Sequence, residues 1–101
     1  MFFSEDVVRE ALRSVLDPEM RIGVVDLGLI YGIGIDGATV RVTYTLTSPA
    51  CPLGPAIAEQ MRRAVLEIPG VRDVDLSLTF SPPWDPRTMA SEDARMELGI
   101  W

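Results

Sequence analysis

Apolar residues recur at helical spacing in two segments of this chain. The first segment begins after Ser4, a residue type that caps helices. It should stop near Asp17-Pro18, because proline disfavours the helical conformation in the residue before it. The second begins at Pro52 and should stop at Pro69-Gly70. Its apolar positions are Leu53, Ile57, Met61, Ala64, Val65 and Ile68.

Three other segments alternate apolar and polar residues, which is typical of strands. The first covers residues 29–35 and leads into Asp36-Gly37, a dipeptide that favours a tight hairpin. The second covers residues 40–47, with its apolar positions facing a core and its threonines facing the opposite side. The third covers residues 73–80.

These segments predict a single domain over residues 1–101 in the order α-β-β-α-β-α. The last helix would be short, over residues 88–98, and capped by Gly99. A hairpin and a third strand, covered on one face by two main helices, make a two-layer α+β sandwich with a small mixed or antiparallel sheet. A short strand near Val24-Val25 is an alternative member of that sheet.

The net charge is −6, and the longest run of positive charge is Arg62-Arg63. Nucleic acids and anionic membrane surfaces are therefore poor partners, because both are bound through basic patches. No apolar run approaches the roughly 18 residues of a membrane span, and the acidic start lacks the basic region of a signal peptide. One cysteine cannot form an internal disulfide, so we expect a cytoplasmic protein.

The chain contains no histidine and no lysine, so all nine basic residues are arginines. This composition excludes Ser-His-Asp and Cys-His catalysis, histidine metal sites and lysine Schiff bases within one chain. The chain also lacks asparagine, and a shortage of thermolabile amides is typical of thermophilic proteins.

Cys51, the only cysteine, stands where a strand gives way to a helix, directly before Pro52. A thiol at a helix N-terminus faces unpaired N–H groups and the positive end of the helix dipole. Both lower the thiol pKa and favour the thiolate, the form that attacks electrophiles and binds metals. A lone cysteine is also commonly a small buried core residue. Position alone leaves both interpretations open.

Polar residues elsewhere could complete a site with Cys51. Thr45 and Thr47 could place hydroxyls beside the thiol, although β-propensity alone also explains them. Asp26 lies among apolar residues and is either a turn residue or an oxygen ligand or proton acceptor near Cys51. Glu19, in the turn after the first helix, could also reach such a site.

Two aromatic segments could make contacts with other proteins. Trp84 lies in a rigid proline-rich loop and is either a lid over the core or an exposed contact residue. The apolar pair Ile100-Trp101 indicates docking, either onto the domain itself or onto a neighbouring subunit.

Five short motifs stand in order along most of the chain. They are Asp17-Pro18-Glu19, Asp26-Leu27-Gly28-Leu29, Thr45-x-Thr47-x-x-x-Cys51-Pro52, Pro82-Pro83-Trp84 and Ala94-Arg95-x-x-Leu98-Gly99. Together they resemble the PaaD-like and SufT-like domain of iron–sulfur cluster assembly factors, formerly a domain of unknown function.

The resemblance implies an α+β fold and a non-enzymatic role in assembling or delivering iron–sulfur clusters. It implies that Cys51 is the reactive or ligating thiol, with Asp26, Thr45 and Thr47 in the same polar patch. Clusters are generally held by four ligands, so one thiol could bind a cluster only transiently, between chains. The implied partners are assembly proteins, client apoproteins or a second copy of the chain, and no permanently bound cofactor is expected.

Two alternatives stay open. The chain could be an interaction subunit of a multicomponent, phenylacetate-type oxygenase, with Cys51 as packing and with contacts from Trp84 and Ile100-Trp101. The cysteine-rich extension of the proteins of that system does not follow Trp101, which argues against this alternative. A thiol enzyme would need Asp26 or another subunit as its base, since histidine and lysine are missing.

Overall fold

The computed structural model describes residues 4–18, 20–47 and 54–99. Within these ranges the chain forms four helices and three strands. In chain order they are α1 (Glu5–Leu12), β1 (Ile30–Asp36), β2 (Thr39–Tyr44), α2 (Gly54–Leu66), β3 (Asp73–Leu78), α3 (Pro86–Met89) and α4 (Glu92–Leu98).

The three strands form one mixed sheet in the order β1-β2-β3. Strands β1 and β2 are antiparallel and are joined by the predicted tight turn, in which Asp36 pairs with Thr39. Gly37 occupies this turn with a positive φ of 62°, a conformation that glycine adopts without steric cost. Strands β2 and β3 are parallel, so α2 must carry the chain back along the sheet between them.

The helices cover one face of the sheet. The strand register sets Val40 beside Val74 and Val42 beside Leu76, and these side chains pack in the same core as Leu12 and Ile57. The opposite face carries polar residues and stays open. This arrangement is the predicted two-layer α+β sandwich. The buried apolar side chains are Val8, Leu12, Val15, Val24, Leu27, Leu29, Val40, Val42, Tyr44, Leu46, Ile57, Met61, Val65, Ile68, Val74, Ala90 and Ala94.

Helix α1 begins as predicted and ends earlier than predicted. The Ser4 hydroxyl accepts a hydrogen bond from the Val7 amide, as an N-cap does. The helix stops at Leu12, whereas the proline rule placed its end near residue 17. The reason is a non-local backbone pairing, in which the Val24 amide donates to the Val15 carbonyl at 3.0 Å and thereby draws the chain out of the helix.

Two more predicted elements differ from the structure. The predicted last helix is two helices, α3 and α4, because Ala90 is extended and the Ser91 side chain caps a new helix start. Gly99 caps α4 as predicted, with a φ of 76°. Residues 24–28 form turns, so the alternative strand at Val24-Val25 is wrong.

Strand β3 was predicted to extend to residue 80. The strand ends at Leu78, and the side chains of Leu78 and Phe80 are 46% and 39% exposed. These two side chains therefore lie at the margin of the core, where the helices cover the sheet incompletely.

Gly28 lies against Met89, the last residue of α3, so substitutions at Gly28 test the packing of α3 on the rest of the domain. Its φ is 80°, and a Cβ at this position would overlap the Met89 carbonyl group. Gly37 also has a positive φ, but nothing lies within 4 Å of a Cβ there. We expect Gly37→Ala to cost about 1 kcal/mol of backbone strain. Gly28→Ala should lower the free energy of unfolding by about 1–3 kcal/mol more, because it adds overpacking.

Urea unfolding of the wild type and the two variants measures this difference. Equal losses in both variants would show that the Gly28–Met89 contact does not constrain the fold.

Candidate functional site

The candidate site lies at the end of the sheet where β2 stops and α2 starts. Strand β2 ends at Tyr44 and α2 begins at Gly54, and the connection between them carries Cys51. Cys51 and the other residues of 48–53 lie outside the described residues. Cys51 precedes Gly54 by three positions, so the chain keeps the two Cα atoms within about 11 Å of each other. In parallel β-α-β units, ligands bind in the crevice at this end of the strands.

Thr45 continues the chain just past β2 and is buried completely, with 0% exposure. Its amide donates a hydrogen bond to the Leu29 carbonyl at 2.8 Å, which fixes its backbone. Its Oγ1 atom has no hydrogen-bond partner among the described residues. The sequence placed this threonine on the open face, but Tyr44, Thr45 and Leu46 are all buried because strand alternation ends at residue 44. Buried hydroxyls normally have a hydrogen-bond partner, and for Thr45 the described residues supply none.

Asp26 lies in the turns before β1, and its side chain is 47% exposed. Its carboxylate is 3.7 Å from the Arg13 guanidinium, and its carbonyl accepts a hydrogen bond from the Ser91 amide at 2.6 Å. The carboxylate also lines a groove of about 340 Å³ against α4, beside Asp93 and Glu97. The described contacts of Asp26 are therefore with α1 and α4, and its predicted proximity to Cys51 stays a prediction.

The remaining predicted site residues fall in different places. Thr47 is half-buried in the bend that follows Thr45. Trp84 packs against the core, and its indole Nε1 donates a hydrogen bond to the Leu27 carbonyl at 2.7 Å. Of the two alternatives for this residue, the structure therefore shows a lid over the core. Glu19 and the pair Ile100-Trp101 lie outside the described residues.

The sequence interpretation missed an apolar groove beside α2. It has a volume of about 300 Å³ and extends from the first turns of α2 to the ends of β2 and β3. The alternation of β3 does not show what covers Leu78 and Phe80, and their exposure beside the start of α2 is seen only in the structure. We call this feature the α2 groove. Its lining residues are Tyr44, Leu46, Gly54, Pro55, Ala58, Leu78 and Phe80.

Tyr44 is the one residue lining the α2 groove whose pKa is shifted. Burial raises the pKa of its phenol above the ordinary value of 10.0, because the phenolate would lose its hydration. The neutral phenol is therefore the form that the fold favours.

The described residues contain no group of three or more histidine, cysteine or acidic side chains arranged to hold a metal ion. Within the same ranges, no helix is both long and apolar enough to cross a membrane.

Comparison with known proteins finds the same family that the sequence motifs resemble. A family model described as an iron–sulfur cluster assembly protein matches residues 5–78. An "Fe-S protein maturation auxiliary factor" of Porphyromonas gingivalis is 50% identical over 98 residues, which cover 95% of this chain and 90% of that protein. The "Fe-S protein maturation auxiliary factor SufT" of Staphylococcus aureus is 41% identical over 87 residues, which cover 85% of this chain and 98% of that protein.

A solved structure has the same fold. It is a conserved hypothetical protein from Thermotoga maritima, which superposes with a TM-score of 0.85 at 39% identity. The match covers 97% of this chain and 96% of that one.

Thr45→Val tests whether the buried hydroxyl is a cost to stability. The change keeps the shape of the side chain and removes a polar atom that has no partner among the described residues. We expect the free energy of unfolding to stay unchanged or to rise by about 1 kcal/mol. Thr43→Val, on the half-buried part of the open face, is the matched control and should change it by less than about 0.5 kcal/mol. A clear loss of stability in Thr45→Val alone would mean that the hydroxyl makes a stabilising contact.

Tyr44 makes the fold sensitive to alkaline pH. Because the folded pKa is raised, the unfolded chain loses its phenolic proton first, and stability falls as pH rises through and above the ordinary value of 10.0. Below that pH the phenol is protonated in both states, so the effect vanishes. Urea midpoints between about pH 8 and pH 11 should fall less steeply in Tyr44→Phe than in the wild type. Identical slopes would contradict this assignment.

Proposed function

Because this chain belongs to the family described as iron–sulfur cluster assembly proteins, we propose that it is an auxiliary factor in the assembly or delivery of iron–sulfur clusters. The cluster is cargo that the chain holds briefly, and the Cys51 thiol is the group that contacts it. The observation that carries this proposal is the position of the only thiol, in the connection between the buried end of β2 and the start of α2.

The start of α2 supports a reactive thiol. The helix is 13 residues long, and its first residue, Gly54, follows Cys51 closely in the chain. The first turn of a helix carries unpaired amides and the positive end of its dipole, both of which favour a thiolate. No acidic residue stands in this first turn to offset that effect.

The burial of Thr45 is a second argument for a site at the end of β2. Its hydroxyl is buried at the end of β2 and has no partner among the described residues. In our proposal it donates a hydrogen bond to sulfur while cargo is held, and it positions the thiol rather than reacting. Such a role gives this buried hydroxyl a hydrogen-bond partner.

Asp26 and Thr47 complete the proposed polar patch. The Asp26 carboxylate has only one charged neighbour within ion-pair distance among the described residues, Arg13, and it remains half exposed. In our proposal this carboxylate is a polar neighbour of the thiol. We do not propose catalysis, because the chain has neither histidine nor lysine to act as an efficient base near neutral pH.

A single thiol also determines what a partner must supply. Iron–sulfur clusters are held mostly by four thiolate ligands, and this chain provides one. The other ligands must come from the donor or the client, so the cluster is held between chains. That arrangement suits delivery, because a cluster with one ligand from this chain is released when the client supplies its own.

Replacing the thiol tests the proposal directly. Reconstitution with iron and sulfide is carried out anaerobically with a small thiol such as glutathione, which supplies the ligands that this chain lacks. We expect Cys51→Ser to abolish cluster uptake under these conditions, and to lower the rate of cluster transfer to an apo-ferredoxin at least about tenfold. Iron and sulfide content and visible absorption measure uptake, and circular dichroism follows transfer. The matched control is the wild type alkylated with iodoacetamide, which modifies only Cys51 and should behave like the serine variant. Wild-type cluster content and transfer in Cys51→Ser would refute the ligand role.

The pH dependence of the same alkylation separates a reactive thiol from a structural one. A thiol at a helix N-terminus should titrate below about 8.5, the value of free cysteine. A midpoint at or above that value would leave Cys51 as a packing residue.

A further inference from the structure

Among the described residues, the outer edge of β3 is open at its C-terminal end and closed at its N-terminal end. Strand β3 pairs with β2 on one side, and the Thr79 amide donates to the Tyr44 carbonyl in continuation of that ladder. Because backbone groups alternate along a strand, the amides and carbonyls of Val74, Leu76 and Leu78 point away from β2. These three residues form the outer edge of the sheet.

The N-terminal part of this edge is closed by side chains. The Val74 amide donates to the Asp73 carboxylate at 2.9 Å, and the Val74 carbonyl accepts a hydrogen bond from the Arg62 guanidinium at 2.8 Å. Such caps prevent another strand from pairing there. Among the described residues, the outward groups of Leu76 and Leu78 have no corresponding hydrogen bond.

The open part of the edge borders the α2 groove. Leu78 lines the groove and is 46% exposed, and Phe80, just beyond the strand, is 39% exposed. An open strand edge next to an apolar groove has the two parts of a site for an extended peptide. Its backbone pairs with the edge, and alternate side chains enter the groove.

We propose that the edge at Leu76 and Leu78, with the α2 groove, binds an extended segment of the protein that exchanges clusters with this chain. The segment adds a short fourth strand and places an apolar side chain in the groove. This inference rests on the proposed function for the identity of the partner, but the binding surface can be tested without any cluster.

The charge pattern indicates a basic segment. Side chains of the added strand that do not enter the groove lie on the open face of the sheet, next to exposed Asp75. Arg41 is the neighbour of Asp75 on β2, but its guanidinium lies 3.7 Å from the carboxylate of Asp36. Asp75 therefore has no ion pair among the described residues. A segment that alternates apolar and basic residues matches both faces.

The same charges disfavour a second copy of this chain as the occupant. Pairing two β3 edges would bring two Asp75 carboxylates to one sheet and join two chains that each carry a net charge of −6. The open edge is also short, because Arg62 and Asp73 close it at Val74. A short pairing gives a brief contact, which suits transfer better than a permanent dimer.

The location also brings the partner close to the thiol. Gly54 and Pro55, which begin α2, line the groove, and Cys51 precedes Gly54 by three positions. A segment seated in the α2 groove could therefore present its own ligands within reach of Cys51.

The test uses a six-residue peptide that alternates valine and arginine, titrated into the ¹⁵N-labelled full chain without iron or sulfide. We expect the largest amide shifts at Leu76, Leu78 and Phe80. A peptide that alternates valine and glutamate should bind at least about tenfold more weakly, because its charges face Asp75. The valine–arginine peptide with N-methylated backbone should not bind, because it cannot donate hydrogen bonds to the edge.

Two variants make the result specific. Leu78→Pro removes an outward amide and leaves the ladder to β2 intact, so it should weaken binding about tenfold, as expected for one hydrogen bond. Leu78→Val keeps that amide and is the matched control, with near wild-type binding expected. Because the proline variant could fail to fold, exposed Asp75→Arg provides a second measurement. It should reverse the preference between the two peptides.

Three outcomes would overturn the proposal. These are shifts that map to another surface, equal binding of both peptides, or shifts at Leu76 and Leu78 on raising the protein concentration alone, which would identify a second copy as the occupant. The proposed function is judged separately by cluster uptake in Cys51→Ser. Loss of peptide binding with Cys51-dependent uptake intact would remove only the docking surface, and the reverse result would remove only the cluster role.

Discussion

The pairing of β2 on both of its edges is the constraint on which the rest of the structure depends. One edge pairs with β1 in a tight antiparallel hairpin and the other with β3 in a parallel ladder. A parallel neighbour requires the chain to return along the sheet, and α2 makes that return. Helix α2 therefore starts at the end of the sheet where β2 stops. The buried Thr45 and the α2 groove belong to this end, and the only cysteine lies in the sequence that connects β2 to α2.

The body of the domain and its end beside α2 differ in which groups are capped or covered. At the body, outward groups of β3 are capped by Arg62 and Asp73, and Trp84 closes the core with a hydrogen bond to the Leu27 carbonyl. At the end beside α2, the Thr45 hydroxyl is buried without a partner among the described residues, and apolar side chains are exposed. Local departures from optimal packing are typical of functional sites, where binding rather than folding satisfies the groups involved.

Much of the fold could be predicted because it depends on neighbours close in the sequence. The Ser4 cap, the Asp36-Gly37 turn, the Gly99 cap and the apolar face of α2 at Ile57 and Met61 are confirmed. The family was also accessible from short motifs and is confirmed by the comparison with known proteins. The end of α1 was predicted wrongly because a hydrogen bond between Val24 and Val15 overrides the local proline signal.

The sequence by itself determined the order of the main helices and strands, the single cysteine between the second strand and the second helix, and the chemistry that its composition excludes. Only the tertiary structure decided that Thr45 is buried, that Asp26 contacts Arg13, and that β3 keeps an open edge beside a groove. The physical reason is that periodicity specifies which face of an element a residue occupies, whereas burial and pairing depend on what covers that face. Those partners come from distant segments. For example, the Leu29 carbonyl accepts a hydrogen bond from the Thr45 amide.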